Sequence, residues 1–193
     1  MVFPVNQPGV HPANALAFAG VTLSPEAKSG YTNKETAPGD KVLIIPATEL
    51  RKMREHAERE YPKQCCGLLL GSRRDHDKHA LRAQACRNAA PAPAESFLVA
   101  PQELIEWQRC GREQQFEILG FYHSHPDQPA NPSEQDVSLA CWTNCSYVVL
   151  SVEDGVLTVL RSFTPAMEAD KATLLEEPVK IEREIAQPDA VPA

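Results

Sequence analysis

From about residue 41 onward, short apolar runs with strand periodicity alternate with longer segments in which apolar positions recur every three to four residues. "KVLIIP" predicts a first strand, and Thr48 is placed to cap a helix through "ELRKMREHAERE", whose Leu50, Met53 and Ala57 fall at helical spacing. Pro62 disfavours helical geometry at Tyr61 and ends that helix. "CCGLLLG" predicts a short buried strand closed by glycine, and the polar turn "SRRDHDKH" leads to a strand in "ALRAQACRNAA". After the loop "APAPAES" and "FLVA", Pro101 opens a helix over "PQELIEWQRCGREQ", with Leu104, Ile105 and Gln108 along one side. "FEILGFYHSH" predicts the next strand and "SEQDVSLACW" a helix. "SYVVLSV" and "VLTVLRSF" predict a hairpin around Glu153, Asp154 and Gly155, and "EEPVKIE" a last strand. This order, without internal repeats, suits a mixed α/β domain over residues 41–183, with helices against a central sheet.

The flanks read differently. Residues 1–40 are rich in Pro, Gly, Ala, Ser, Thr and Asn with little periodicity, the pattern of a flexible arm or of a segment that orders on a partner. Residues 184–193 read as a loose tail. With 193 residues and 42% hydrophobic content, one compact domain is expected. The formal net charge of −7, with Lys and Arg scattered, argues against a nucleic-acid partner. No apolar run approaches the roughly 18–20 residues that span a bilayer, and "ANALAFAG" lacks the basic flank of a secretory signal, so a cytoplasmic protein is expected. The six cysteines lack paired zinc-finger spacing and read as reduced and structural.

The chemistry concentrates in "GFYHSHPDQPANPSEQD", Gly120 to Asp136. Histidines at alternate strand positions share a face, so His123 and His125 can turn two imidazoles toward one ion. A turn through Pro126, Pro129 and Pro132 can bring Asp136 back to them as a third ligand. Three protein ligands leave one position open, as in catalytic rather than structural zinc sites. The plain alternatives are strand histidines bonded to backbone, and Ser133 and Asp136 forming an S-x-x-D helix cap. Were Asp136 a metal ligand, capping is expected to fall to Ser133 or the backbone. His11, His56, His76 and His79 sit in polar surroundings and read as surface residues.

His123-Ser124-His125-Pro126, then Ser133, then Asp136 resembles the H-x-H-P-x6-S-x2-D signature of the JAMM, or MPN-plus, zinc metallopeptidases, and every spacing matches. "CGLLLG" and the order of elements from Lys41 to Glu182 also look like this family in its small bacterial form. The resemblance implies a cytidine-deaminase-like mixed sheet flanked by helices. It also implies one zinc held by His123, His125 and Asp136, and an oxyanion-stabilising role for Ser133.

The same resemblance places a proton-handling glutamate before "CG", typically as E-x-C-G, and here Gln64-Cys65-Cys66-Gly67 stands in its place. An amide can hydrogen-bond water but cannot take its proton, so general acid–base help, often a factor of about 10² to 10⁴, is expected to be lost. Lys63, Glu60, Glu58 and Glu55 offer no obvious substitute. Gln64 is either an introduced isosteric substitution in an active enzyme or the mark of a natural metal-binding pseudoenzyme.

By resemblance, the substrate is the bond after the C-terminal Gly-Gly of a ubiquitin-like or sulfur-carrier protein, and an activating enzyme of the same pathway is a further implied partner. An extended tail can pair with an exposed strand edge. Two other readings stand beside this deubiquitinase-like one: a non-catalytic MPN-type binding or scaffold module, and a zinc hydrolase of a small amide.

Overall fold

In the computed structural model, which describes residues 21–22 and 41–183, the strand-period segments form one mixed sheet of nine strands. In chain order the elements are β1 (Val21–Thr22), β2 (Leu43–Pro46), α1 (Ala47–Glu60), β3 (Cys66–Arg74), β4 (Asp77–Cys86) and α2 (Pro101–Gln114). There follow β5 (Glu117–Pro126), α3 (Glu134–Leu139), β6 (Ser146–Glu153), β7 (Val156–Glu168), β8 (Lys171–Glu177) and β9 (Val179–Glu182). Across the sheet the order is β1-β7-β6-β5-β3-β4-β2-β9, with β8 also paired to β7. Central β5 runs antiparallel to β3 and parallel to β6.

Each face is covered by its own helix. Leu50, Met53 and Ala57 of α1 pack over Leu43, Ile45, Leu69, Val148 and Leu150, with the ring of Tyr122. On the other face Leu104 and Trp107 of α2 cover Cys66, Leu68, Leu70 and Phe121. Burying each large side chain contributes on the order of 1.5–3 kcal/mol. Gly67 is required by close approach: a Cβ there would lie 2.4 Å from the Tyr122 ring and 2.4 Å from the Gln84 carbonyl oxygen. The bare backbone lets the ring lie across β3, and its hydroxyl meets His56 Nδ1 at 2.9 Å.

Several expectations need correction. Thr48 lies inside α1, which is preceded by Pro46 and lacks a side-chain cap bond. The "SRRDHDKH" turn is much shorter than its polar composition suggests, because β3 continues through Arg74 and β4 begins at Asp77. "FLVA", assigned to no element above, contributes the isolated bridge Asn88–Val99. On α2 the inward line is Leu104, Trp107 and Gly111, whereas Ile105 is 65% exposed. The helix expected over "SEQDVSLACW" ends at Leu139. β8 is an added strand, paired with the far end of β7. His56 is buried, not a surface residue; His76 is exposed, His79 is half-buried, and His11 lies outside the described residues. Of the N-terminal arm, Val21–Thr22 pair with Val159 and Leu160 of β7. The rest of the arm and the tail 184–193 lie outside the described residues.

Candidate metal centre

Strand alternation puts His123 and His125 on one face, and the pairing of β5 with β3 and β6 makes it the α2 face. His123 lies opposite Cys66 on β3 and Val149 on β6. A one-residue slip would turn both imidazoles to the α1 face. The His123 ring stacks on Phe97 at a centroid distance of 4.2 Å. His125 Nδ1 meets the Pro129 carbonyl oxygen at 3.1 Å, which suits the tautomer that leaves Nε2 as a lone-pair donor.

The loop after Pro126 then returns Asp136 to these rings. His123 Nε2 and His125 Nε2 are 3.0 Å apart. Asp136 Oδ1 is 3.0 Å from His123 Nε2, and its Oδ2 is 3.4 Å from His125 Nε2. Ligand bonds near 2.0–2.2 Å imply separations of about 3.3–3.6 Å between donors of a tetrahedral zinc site. The observed triangle is close to that size, and all three residues are buried. Two neutral imidazoles and one carboxylate are the donor set of an open zinc site, so these residues fit the metal that the sequence suggests.

The electrostatics agree. Burial keeps His123 below the usual imidazole range, against the pull of Asp136. Burial opposes ionisation of Asp136, yet the close imidazoles of His123 and His125 and the amide hydrogen bond from Ser133 outweigh it and hold the carboxyl well below the usual range. A neutral His123 ring and an ionised Asp136 are therefore available at neutral pH. The buried thiols behave oppositely: burial raises Cys65 and Cys66 to about 12 and Cys145 to about 11. These groups stay protonated, and the six cysteines form no disulfide.

The geometry of Ser133 and Asp136 accommodates both roles that the sequence sets against each other. Asp136 Oδ2 accepts from the Ser133 amide at 2.6 Å and from its hydroxyl at 2.7 Å, while Ser133 Oγ accepts from the Asp136 amide at 3.2 Å. This is a complete capping box at α3. The other oxygen, Oδ1, remains directed at His123. Division of labour between the carboxylate oxygens removes the expected conflict.

Gln64 precedes the β3 end of the same ladder, and it also lines a cavity with His56, Lys63 and Asn88. Cys66 faces His123 across the β3–β5 ladder, and the Ser124 amide donates to the Cys65 carbonyl at 3.2 Å; continued by two residues, this register would set Gln64 opposite His125. Its backbone is held on both sides: its amide donates to Pro93 at 2.7 Å, and its carbonyl accepts from Asn88 Nδ2 at 2.9 Å. Ser124, the residue between the histidines, accepts from the Cys65 amide through Oγ at 2.8 Å. Sequence inspection gave Ser124, Asn88 and Phe97 no role. The position of Ser124 opposite the Q-C-C-G segment was the available signal. Glu58, weighed as a substitute base, instead accepts from the Leu157 amide at 3.0 Å.

The sheet between helices thus carries, at the end of a central strand, a buried His-His-Asp triangle of a kind that can hold a metal ion. Residues 46–164 match the model of the prokaryotic homologs of the JAB domain, and the chain belongs to that family, in its small bacterial JAMM/MPN form. It is 34% identical over 119 residues to a probable TtuB-protein conjugate cleaving protease of Thermus thermophilus, covering 62% of this chain and 76% of that one. With a CysO-cysteine peptidase of Mycobacterium tuberculosis it shares 31% identity over 140 residues, 72% of this chain and 91% of the relative. The solution structure of protein DSY2949 from Desulfitobacterium hafniense superposes with a TM-score of 0.63 at 29% identity, covering 75% of this chain and 95% of the other. The mixed α/β fold anticipated from sequence is thus the family's fold. Among the described residues, no helix is long and apolar enough to cross a membrane.

Proposed function

We propose that this chain is a zinc-dependent peptidase or isopeptidase for the bond after the C-terminal Gly-Gly of a ubiquitin-like or sulfur-carrier protein, with turnover held low by Gln64. The convergence of His123, His125 and Asp136 carries this reading. The names of the two relatives, one for a TtuB conjugate and one for CysO-cysteine, support the substrate class.

When bound, zinc supplies a Lewis acid for the scissile carbonyl and activates water. His123, His125 and Asp136 would hold it. The Ser133 hydroxyl can turn from Asp136 to donate to the developing oxyanion, a role often worth about 3–4 kcal/mol. Gln64 orients water through its amide but takes no proton. Phe97, Leu98, Val99, Leu104, Phe121 and Trp142 line an apolar groove of about 220 Å³ beside His123, suited to an extended tail.

The test is Gln64→Glu against the unchanged chain, on fusions that join the Gly-Gly terminus of a ubiquitin-like protein to a reporter, with zinc quantified in both. One zinc per chain is expected in each, with cleavage about 10²- to 10⁴-fold faster in the variant. A variant that holds zinc but leaves every fusion intact overturns the peptidase reading; hydrolysis of small amides instead favours the small-amide hydrolase. Gln64 itself favours a second reading, a non-catalytic module that binds the same tails. Absence of zinc from both proteins, together with retained tail binding, supports that module.

A further inference from the structure

The reading that Asp136 is a metal ligand leaves open what fixes its position, since the ligand arrives on a loop and short helix rather than on the sheet. The sheet register gives a lead. Val149 of β6 pairs with His123 on one side and with Arg161 of β7 on the other, so Arg161 lies in the same row and on the same face as His123. Two strand spacings, roughly 9–10 Å, separate them. The loop from Asp127 to Pro132 crosses this row on its way to Ser133.

Arg161 is 7% exposed. Its guanidinium is fixed by Glu176 of β8, with Nε at 2.9 Å and Nη2 at 2.6 Å from the two carboxylate oxygens. It also lies 5.0 Å from the centre of the Phe163 ring. Nη1, the third corner of the fork, donates to the Asn131 side-chain carbonyl, two residues before Ser133. Ala130 is buried beside Asn131, against Val149 and Phe163. The first half of the loop is tied separately: Ser151 Oγ donates to the Gln128 carbonyl at 2.7 Å, and the Asp127 amide donates to the Val152 carbonyl at 2.8 Å. Thus the sheet fixes the loop at both ends, and Arg161 holds the end next to the capping box.

We infer that Arg161, oriented by Glu176, is a positioning residue that sets the third metal ligand through Asn131. Arg is suited to the task because its planar fork can engage a carboxylate with two donors and still direct another sideways. A lysine ammonium cannot keep that geometry. Asn131 is exposed, so its truncation breaks the link without opening the core or leaving Glu176 unpaired.

The proposal rests on the zinc-site reading above, and the experiment separates the two. Zinc affinity is measured by competition with a chromophoric chelator for the unchanged chain, Asn131→Ala and Arg161→Lys, together with thermal melting of each metal-free protein. Asn131→Ala is expected to weaken zinc about 10- to 100-fold, as loss of an outer-shell partner of a metal ligand typically does, while the metal-free melting temperature stays within about 2 °C. Arg161→Lys should weaken zinc similarly. In the Gln64→Glu background, Asn131→Ala should lower kcat more than it raises KM. Unaltered zinc affinity in Asn131→Ala, with the unchanged chain binding zinc, overturns the positioning role and leaves the site reading intact. Absence of zinc binding in the unchanged chain overturns both.

Discussion

Two of the buried polar clusters in this sheet are built on opposite plans. In one, Lys78 Nζ of β4 meets Glu177 of β8 at 2.9 Å and Ser146 Oγ of β6 at 2.8 Å, while Ser162 Oγ of β7 donates to the other Glu177 oxygen at 2.6 Å. Cation, anion and hydroxyls answer one another, and four strands are tied together. In the other, His123, His125 and Asp136 bring together two lone-pair donors and a carboxylate with no cationic side chain among them. Burial there leaves acceptors facing acceptors. A closed cluster organises the fold, whereas an electron-rich, open one invites a cation from outside.

Changes to each cluster should therefore separate stability from metal binding. The largest effect is expected from Asp136→Asn, which should abolish zinc binding in equilibrium dialysis while costing the metal-free protein less stability than a change at Lys78. Retained zinc would remove Asp136 from the ligand set. Next, Lys78→Met should cost about 3–5 kcal/mol in denaturant unfolding, because Glu177 is left buried without its cation. Adding Glu177→Leu should recover most of the loss, and zinc affinity should change little in either. A double variant as unstable as the single one would show that the ion pair itself stabilises the sheet.

Smaller effects sharpen the contrast. Ser133→Ala should cost about 1 kcal/mol through the lost α3 cap, with Ser133→Thr retaining most of it. Equal melting of all three proteins would contradict the capping box. The smallest effect concerns His56, which burial keeps below the usual imidazole range, assisted by Arg59. Its folded pKa lies below its unfolded one, so the unfolded chain binds the extra proton. Stability present above about pH 6.5 should then decline as pH falls through that value. His56→Gln should flatten this part of the stability profile of the metal-free protein. An identical slope between pH 8 and 5.5 would assign the decline to other groups.

The candidate site was more legible in the sequence than much of the scaffold. H-x-H on a strand has one geometric outcome, and the prolines of the following loop limit where Ser133 and Asp136 can go. Gln64 was singled out by resemblance, and it directly precedes the Cys65–Cys66 segment that pairs with the histidine strand. Less visible were features set by distant partners. His56 sits among charged neighbours in sequence, but Tyr122 arrives from β5 to bury it. Lys78 looks like a turn residue until Glu177 meets it from 99 positions away. Ile105 looks like a core residue of α2, but the angle of the helix turns Trp107 inward instead. β8 has weak alternation and exists because β7 is long enough to offer it an edge.

The double pairing of β5 carries a consequence for metal supply. The His123 imidazole is aimed by ladders to β3 and β6 and by the Phe97 ring, and that of His125 by the β6 ladder and the Pro129 carbonyl, so the pocket's shape is established by folding alone. Small zinc domains that fold around their ion unravel when it is removed. Here chelation should leave a folded, reloadable protein, with loss and recovery of the ion following its availability rather than a cycle of unfolding and refolding.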